Sequence, residues 1–265
     1  MEYIDFHVHA FSEKIAERSI SALADTIQKP PATDGTITDT KEKMKQWGVD
    51  GFVLMSIATK PSQHEVCNNW AASQRTDSVF PFGSVHPDGE DVFAELERIK
   101  ALGLYGIKFH PDYQEFFVDE ERMFPIYRKC GELGLPVTLH SGLDPVSPDF
   151  VHCTPRTAVK ALEAAPDTTF ILAHLGGFGM WDEVESVLAG NFGNLYLDTA
   201  ITGSYTAEDQ LYRIIKKHGA DKILLASDCP WDTTDITIAK IKRLGLSAEE
   251  QRKIFSENAV KLLKL

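Results

Sequence analysis

The sequence predicts an α/β fold, a distorted (β/α)8 TIM barrel whose last strand is followed by C-terminal helices. Two observations carry this prediction: eight apolar, β-branched runs recur along the chain, and segments of helical period lie between them. Regular alternation of this kind is typical of parallel strands joined by crossover helices. The chain has 265 residues, and single α/β barrels are typically about 250 residues long.

The strand candidates are apolar runs bounded by turn residues. In chain order they are residues 3–9, 51–57, 79–85, 105–110, 136–140, 169–174, 194–198 and 222–227.

Helical periodicity marks most of the connections. The predicted helices are residues 40–47, 91–102, 121–133, 156–165, 181–188 and 208–218, with further helices expected over 234–264. Thr154 followed by Pro155 predicts a helix start, because the hydroxyl caps the helix and proline needs no N–H partner there. Ser247 and Glu250 have the spacing of a capping box. Glycines expected as C-terminal caps are Gly103, Gly134 and Gly219.

Two connections are longer than the others: residues 10–39 after the first strand and residues 141–154 after the fifth. Both leave from carboxyl ends of strands, so each is predicted to form part of a lid over an active site, with a plain surface insertion as the alternative. An open doubly wound sheet is the alternative fold, but no Gly-x-Gly-x-x-Gly follows the first strand. We therefore expect one barrel domain over residues 1–265.

Charge and cysteine content exclude several classes of protein. The net charge of −12 repels phosphate backbones, which argues against nucleic acid as a partner. No basic leader or long apolar stretch is visible, so a cytoplasmic protein without a membrane partner is predicted. The four cysteines form no Cys-x-x-Cys pair, which favours reduced thiols over a disulfide framework or a cysteine-rich zinc site.

Most of the strand candidates end in histidine or aspartate. These residues are His7, His9, His110, His140, His174, Asp198 and Asp228. His7 and His9 alternate with Val8, so both imidazoles are expected on one face of the first strand. A barrel brings its strand ends around one mouth, and imidazole with carboxylate is a ligand set that suits zinc, iron or manganese.

Six segments carry a family resemblance over nearly the whole chain. They are Asp5-Phe-His7-Val-His9, Gly106-Ile-Lys108-Phe-His110-Pro111, Leu135-Pro-Val-Thr-Leu-His140-Ser-Gly142, Ala173-His174-Leu-Gly-Gly177, Asn194-Leu-Tyr-Leu-Asp198-Thr199 and Ala226-Ser-Asp228-Cys-Pro230-Trp231. In this order they resemble the metal-dependent amidohydrolase superfamily. The closest resemblance is to the branch with aminocarboxymuconate semialdehyde decarboxylase, resorcylate-type decarboxylases and several lactonases.

The resemblance implies one divalent metal ion, with Zn²⁺ expected and Mn²⁺ or Fe²⁺ as alternatives. It implies His7, His9, His140 and Asp228 as ligands, with His174 beside the water on the metal. Asp228 and His174 are therefore the catalytic candidates, as carriers of protons. The family commonly has an aromatic residue after this aspartate, and the present chain has Cys229 instead.

Substrate-binding candidates stand near the same strand ends. Lys108 and His110 are two residues apart and are expected to face the mouth. Lys108 is predicted to hold a substrate carboxylate, with a carboxylated lysine between two metals or a structural ion pair as alternatives. Trp231 is either an apolar wall for a ring or a cap of the core, and Arg156 and His152 are weaker candidates for anion contacts.

Two further carboxylates have open roles at this point. Asp5 either accepts an N–H from a ligating imidazole or bonds to the backbone. Asp198, with Thr199, is predicted to shape the mouth.

The predicted function is hydrolysis of a small carbonyl compound, such as a lactone, an amide or a related ring, by water activated on the metal. The substrate is expected to be a small, anionic molecule. One alternative is a non-oxidative decarboxylase that acts on an aromatic or unsaturated acid at the same metal. Another is a catalytically silent, metal-binding barrel. A homodimer is an option that the sequence leaves open.

Overall fold

The computed structural model describes residues 1–265, and eight buried strands lie within the eight predicted runs. They are β1 (Ile4–Val8), β2 (Gly51–Met55), β3 (Val79–Phe82), β4 (Ile107–Phe109), β5 (Val137–Leu139), β6 (Phe170–Leu172), β7 (Leu195–Asp198) and β8 (Ile223–Leu224). Each strand is shorter than its predicted run. As a result, most of the histidines and aspartates named above follow their strands instead of ending them.

The strands form hydrogen-bonded sheets in the order β1-β2-β3 and β4-β5-β6-β7-β8. The ladders β1·β2, β4·β5, β5·β6 and β6·β7 are parallel. The β1·β2 register shifts between Asp5 and Val8, so an irregularity lies beside His7. Parallel strands of this kind are buried on both faces, as expected where helices cover the sheet.

Twelve α-helices occur along the chain. They are α1 (Ala16–Ile27), α2 (Ile37–Gln46), α3 (His64–Ser73), α4 (Val92–Ala101), α5 (Met123–Glu132), α6 (Pro155–Ala164), α7 (Trp181–Glu183), α8 (Thr202–Tyr205), α9 (Glu208–His218), α10 (Thr234–Arg243), α11 (Ala248–Arg252) and α12 (Asn258–Leu263). The segment predicted as one helix over 181–188 is α7 followed by a π-helical turn at Val184–Leu188. Three helices, α1, α3 and α8, were not predicted.

Both predicted helix starts are confirmed. The Thr154 hydroxyl accepts a hydrogen bond from the N–H of Thr157, with Pro155 at the first helical position of α6. The Ser247 hydroxyl accepts from the N–H of Glu250, and the Glu250 carboxylate accepts from the N–H of Ser247. Each start therefore satisfies donors that a helix leaves without partners.

The chain divides into two compact units. Unit 1 contains Met1–Met55, Thr76–Phe80 and Asp198–Leu265, and unit 2 contains Ser56–Arg75 and Pro81–Leu197. The expectation of a single domain stays a prediction. None of the helices has the length and apolar character that crossing a membrane would require.

Unit 1 joins the first and last strands of the chain. The N–H of Phe6 donates to the oxygen of Leu225 at 2.7 Å, and the N–H of Thr199 donates to the oxygen of Leu224 at 3.0 Å. The first bond places the residue after β8 beside β1, and the second joins the chain after β7 to β8.

Unit 2 is built on β4, β5 and β6. The N–H of Lys108 donates to the oxygen of Gly83 at 2.8 Å, so the chain after β3 continues the ladder beside β4. Because all these strands are parallel, the residues that follow β4, β5 and β6 leave the sheet at the same edge.

Candidate metal centres

His7 and His9 are held by hydrogen bonds that fix which ring nitrogen carries the proton. Nδ1 of His7 lies 2.8 Å from Oδ2 of Asp198, and Nδ1 of His9 lies 2.8 Å from the backbone oxygen of Met55. Both partners only accept hydrogen bonds, so we assign the proton of each neutral ring to Nδ1. The lone pair of each ring is then on Nε2, and the two Nε2 atoms are 3.1 Å apart.

Asp228 completes a set of three donor atoms in unit 1. Its Oδ1 lies 3.3 Å from Nε2 of His7 and 3.4 Å from Nε2 of His9. Donor atoms around a tetrahedral ion with bonds of about 2.0–2.1 Å are separated by roughly 3.3–3.4 Å, which is close to this spacing. Three converging lone pairs repel one another unless a cation lies among them. The residues present therefore fit the divalent ion that the sequence predicts.

The backbone of Asp228 is also specifically placed. Its φ is +71°, in the left-handed region that few non-glycine residues adopt, and its N–H donates to the oxygen of His7 at 2.9 Å. The next residue, Cys229, is buried, and this burial raises the pKa of its thiol well above the ordinary value. The thiol is thus kept neutral.

Asp5 is bonded to the backbone, which was one of the two roles considered for it. Its Oδ1 accepts hydrogen bonds from the N–H groups of His7 and Ser227, and its Oδ2 accepts from the hydroxyl of Thr234. Complete burial raises the pKa of the Asp5 carboxyl to about 6. The carboxylate that accepts a hydrogen bond from Nδ1 of His7 is Asp198 instead.

A second set of donor atoms lies within unit 2 and consists of His110, His140 and Asp144. Oδ2 of Asp144 is 3.4 Å from Nε2 of His140 and 3.6 Å from Nε2 of His110. The two imidazole rings stack nearly parallel with centroids 4.2 Å apart, and Tyr113 stacks on His110 at 3.7 Å. All three donors are buried.

Asp112 belongs to the same cluster. Its Oδ1 lies 2.9 Å from Nδ1 of His152 and accepts a short hydrogen bond from the hydroxyl of Ser147. Its Oδ2 is buried, has no hydrogen-bond partner, and lies 3.8 Å from both Nδ1 of His110 and Nε2 of His140.

His174 contacts this cluster through His140. Its Nε2 lies 3.0 Å from Nδ1 of His140, and its backbone oxygen accepts from the indole N–H of Trp181 at 3.0 Å. Its φ of +58° is again in the left-handed region. The structure thus pairs one predicted catalytic residue with one predicted metal ligand.

The remaining substrate-binding candidates differ in their surroundings. Lys108 is fully buried on β4, and Trp231 is buried in the turn after β8. The Arg156 side chain is 75% exposed and pairs with Glu183 at 2.5 Å. Contacts of these residues with a substrate stay predictions.

Several site residues were missed by the sequence reasoning. Asp112 and Asp144 were not singled out, and Asp198 was not assigned to His7. The position of Asp112, two residues after His110, could have indicated that it belongs to the same cluster. Asp144 lies in the long connection after β5, where aspartate is common in ordinary turns and carries little information.

Comparison with known proteins identifies the family. A sequence model of the amidohydrolase family matches residues 4–265, nearly the whole chain. Among curated proteins, none matches this sequence.

Solved structures show the fold. An uncharacterised TIM-barrel protein from Bordetella bronchiseptica is 20% identical, with a TM-score of 0.79 over 100% of this chain and 99% of its own. A dihydroxybenzoic acid decarboxylase from Polaromonas, solved with manganese and the inhibitor 2-nitroresorcinol, is 19% identical, with a TM-score of 0.74 over 99% and 97%. A Pseudomonas putida protein described as a 2-pyrone-4,6-dicarboxylic acid hydrolase is 18% identical, with a TM-score of 0.68 over 99% and 97%. The chain therefore belongs to the amidohydrolase family of metal-dependent enzymes and has the (β/α)8 fold that its sequence predicts.

Proposed function

We propose that this enzyme hydrolyses a small anionic carbonyl compound, with a lactone as the first candidate, at a divalent ion held by His7, His9 and Asp228. The observation that supports the proposal is the convergence of three lone pairs in unit 1, fixed by the hydrogen bonds of both Nδ1 atoms. An ion held by imidazole and carboxylate ligands would also bind a water molecule or the substrate carbonyl, as in catalytic zinc sites. A divalent ion held there supplies Lewis acidity to that oxygen.

The side chains have separate tasks in this proposal. His7 and His9 present Nε2 to the ion, because Asp198 and the Met55 carbonyl accept hydrogen bonds from Nδ1 of the two rings. Asp228 would hold the ion through Oδ1, and its Oδ2 would accept a proton from the attacking water and return it to the leaving oxygen. His140 as a further ligand, His174 as a second proton carrier, and Lys108 as the partner of a substrate carboxylate complete the proposal.

The experiment uses protein that is stripped by a chelator and reloaded separately with Zn²⁺, Mn²⁺ and Fe²⁺. The first substrate to assay is 2-pyrone-4,6-dicarboxylate, a lactone with two carboxylates that the Pseudomonas putida relative is described as hydrolysing. We expect turnover only after reloading, and full activity in the stripped protein would exclude the proposal.

Variants test the residues directly. We expect Asp228→Asn to lower kcat by at least about 100-fold, because it removes the proton acceptor and one anionic ligand. The matched control is Asp209→Asn, an exposed carboxylate on α9 paired with Arg213, which should leave kcat unchanged. If Asp228→Asn and its control behave alike, Asp228 has no role in the reaction.

Decarboxylation of an aromatic acid is the second candidate. It is favoured by one observation: the Polaromonas decarboxylase has a higher TM-score than the pyrone hydrolase, 0.74 against 0.68. Here Asp228 would deliver a proton to carbon, and a C–C bond would break. Release of carbon dioxide from dihydroxybenzoic acid, without consumption of water, would replace hydrolysis as the function.

A further inference from the structure

We infer that Asp5 is a positioning residue of the metal centre in unit 1, and that its carboxylate fixes the separation of His7 and Asp228. Asp5 itself does not hold the ion in this arrangement, because its two oxygens bind groups of the protein. It has this task only if a divalent ion lies among His7, His9 and Asp228, so the inference rests on the proposed function.

One oxygen of Asp5 joins the two segments that carry these ligands. Oδ1 accepts a hydrogen bond from the N–H of His7 at 3.0 Å and another from the N–H of Ser227 at 3.1 Å. Ser227 directly precedes Asp228 in the chain. Asp5 and Ser227 are 222 positions apart, so a single atom connects the first strand to the turn after the last one.

The bond to Asp5 takes the place of a missing bond in the sheet. β8 ends before Ser227, and the following contact with β1 is the N–H of Asp228, which donates to the oxygen of His7 at 2.9 Å. Ser227 is fully buried, and a buried N–H needs an acceptor. The side chain of Asp5 supplies that acceptor where the backbone of β1 does not.

Asp228 depends on such an anchor because of its backbone conformation. Its φ of +71° is disfavoured for a residue with a side chain, and such residues keep their conformation only where the surrounding structure holds them. The oxygen of Asp228 is held by the N–H of Trp231 at 2.8 Å, and the amide before Asp228 is held by Asp5. Without the second bond, we expect Oδ1 of Asp228 to move away from Nε2 of His7.

The other oxygen of Asp5 prevents the carboxylate from rotating. Oδ2 accepts a hydrogen bond from the hydroxyl of Thr234 at 2.5 Å, and Thr234 is the first residue of α10. Both side chains are completely buried. Oδ1 is therefore held at the two amides by a contact that lies on the opposite side of the carboxylate.

This geometry uses the position of Asp5 and not its charge. The groups that donate to it are backbone N–H groups and hydroxyls, all of which are neutral. Asparagine has the same shape, and its Oδ1 can accept from both N–H groups. Its amide nitrogen can donate to the hydroxyl oxygen of Thr234, whose hydrogen can then point to Sδ of Met44 at 3.7 Å. Asparagine can thus keep the connection, whereas alanine cannot.

The test measures zinc affinity in the full-length protein, by competition of chelator-treated protein against a chromogenic chelator. This readout does not depend on turnover, and Asp228→Asn identifies the ion, because it must weaken the affinity of this site. We expect Asp5→Ala to bind that ion at least about 10-fold more weakly, as for other residues that orient ligands, and Asp5→Asn to stay close to the wild type. Thr234→Val is the matched control: it removes the bond to Oδ2 alone, so it should lower the melting temperature and keep the zinc affinity.

The possible results separate a positioning role from a structural one. If Asp5→Ala lowers the melting temperature but leaves the zinc affinity of the folded protein unchanged, Asp5 is only structural and the inference is wrong. Equal losses of affinity in Asp5→Ala and Asp5→Asn also overturn it, because they would show that the charge matters. If circular dichroism shows that Asp5→Ala does not fold, Asp5→Ser replaces it, since the shorter side chain cannot reach both amides.

Failure of the proposed function gives a different result. In that case the wild type binds no zinc, or Asp228→Asn leaves the zinc affinity unchanged, and the proposed site is overturned together with the task of Asp5. An affinity that falls in Asp228→Asn but not in Asp5→Ala overturns the task of Asp5 alone.

Discussion

At the scale of single residues, Asp198 fixes the orientation of the His7 ring and the ring nitrogen that carries the proton. Its Oδ2 holds the Nδ1 proton of His7 at 2.8 Å, while its Oδ1 accepts from the backbone N–H of Ala200 at 3.0 Å. Both side chains are almost completely buried, so the pair is protected from water and keeps one geometry. The carboxylate also increases the basicity of the opposite nitrogen.

Replacing Asp198 with asparagine should therefore weaken metal binding. We expect the zinc affinity of Asp198→Asn to fall by about 10- to 100-fold, because the charge that supports His7 is lost while the shape is kept. Competition against a chromogenic chelator measures this change for the unit 1 ion. Asp209→Asn is again the control, and equal affinities in the two variants would show that Asp198 does not act through His7.

The candidate ligands of unit 1 were predicted from the sequence, whereas their hydrogen-bond partners were not. His7, His9 and Asp228 stand at or just after strand ends in recognisable motifs. The contact between Asp198 and His7 joins residues 191 positions apart, and it depends on side-chain rotamers that a motif does not specify. The same limit explains Asp112 and Asp144, whose spacing resembles that of ordinary turn residues.

At the scale of elements, the segments that follow β5 and β6 meet through their backbones. The N–H of Phe178 donates to the oxygen of Ser141 at 2.9 Å, and the N–H of Leu143 donates to the oxygen of Phe178 at 3.0 Å. Between them, Gly142 has a φ of +91°, and a Cβ there would lie 2.0 Å from the nitrogen of Phe178. The residues of this contact belong to the same two segments as Asp144 and His174.

A methyl group at Gly142 should separate these two segments. We expect Gly142→Ala to lower the free energy of unfolding by about 1–3 kcal/mol, because both the φ and the close approach disfavour a side chain. Urea unfolding followed by circular dichroism measures it. The matched control is Gly193→Ala, where a Cβ meets no atom within 4 Å and the change should stay within about 0.5 kcal/mol. Similar losses in both proteins would contradict the argument.

The strands and most helices were predictable because the spacing of apolar residues and the capping residues indicate where these elements lie. Helix α1 was not, and its sequence explains why. Only Ala16 and Ile20 are buried in its 12 residues, and Ile15 at its start offers no side-chain cap. The sequence of residues 10–39 therefore looks like that of a loop, although these residues contain α1.

At the scale of the whole molecule, binding of a metal ion by these donor atoms would add stability. Four aspartates, Asp112, Asp144, Asp198 and Asp228, lie close to imidazoles in the two units, in a chain with a net charge of −12. Each ion that binds only the folded protein adds stability in proportion to the logarithm of its concentration. The folded state without ions keeps the repulsion within each cluster.

Zinc should therefore raise the melting temperature. At a free concentration of about 100 times its Kd, each ion adds about 2.7 kcal/mol to the free energy of unfolding. For a chain of this size that corresponds to a shift of roughly 5–10 °C per ion, measured by calorimetry against a chelator-treated sample. Mg²⁺ at the same concentration should shift the melting temperature far less, because it prefers oxygen ligands to imidazole. Equal shifts with both ions would indicate a general ionic effect.

The order in which the chain is synthesised gives the His7–Asp228 contact a further consequence. The two residues are 228 − 7 = 221 positions apart, yet Oδ1 of Asp228 lies 3.3 Å from Nε2 of His7. At about 5–20 residues per second, the ribosome adds Asp228 roughly 10–45 s after His7. Throughout that interval the nascent chain carries the histidine pair without its carboxylate. Metal capture by the proposed site would thus be a late event of biogenesis, which would follow near-complete translation and would not guide the folding of the first strands.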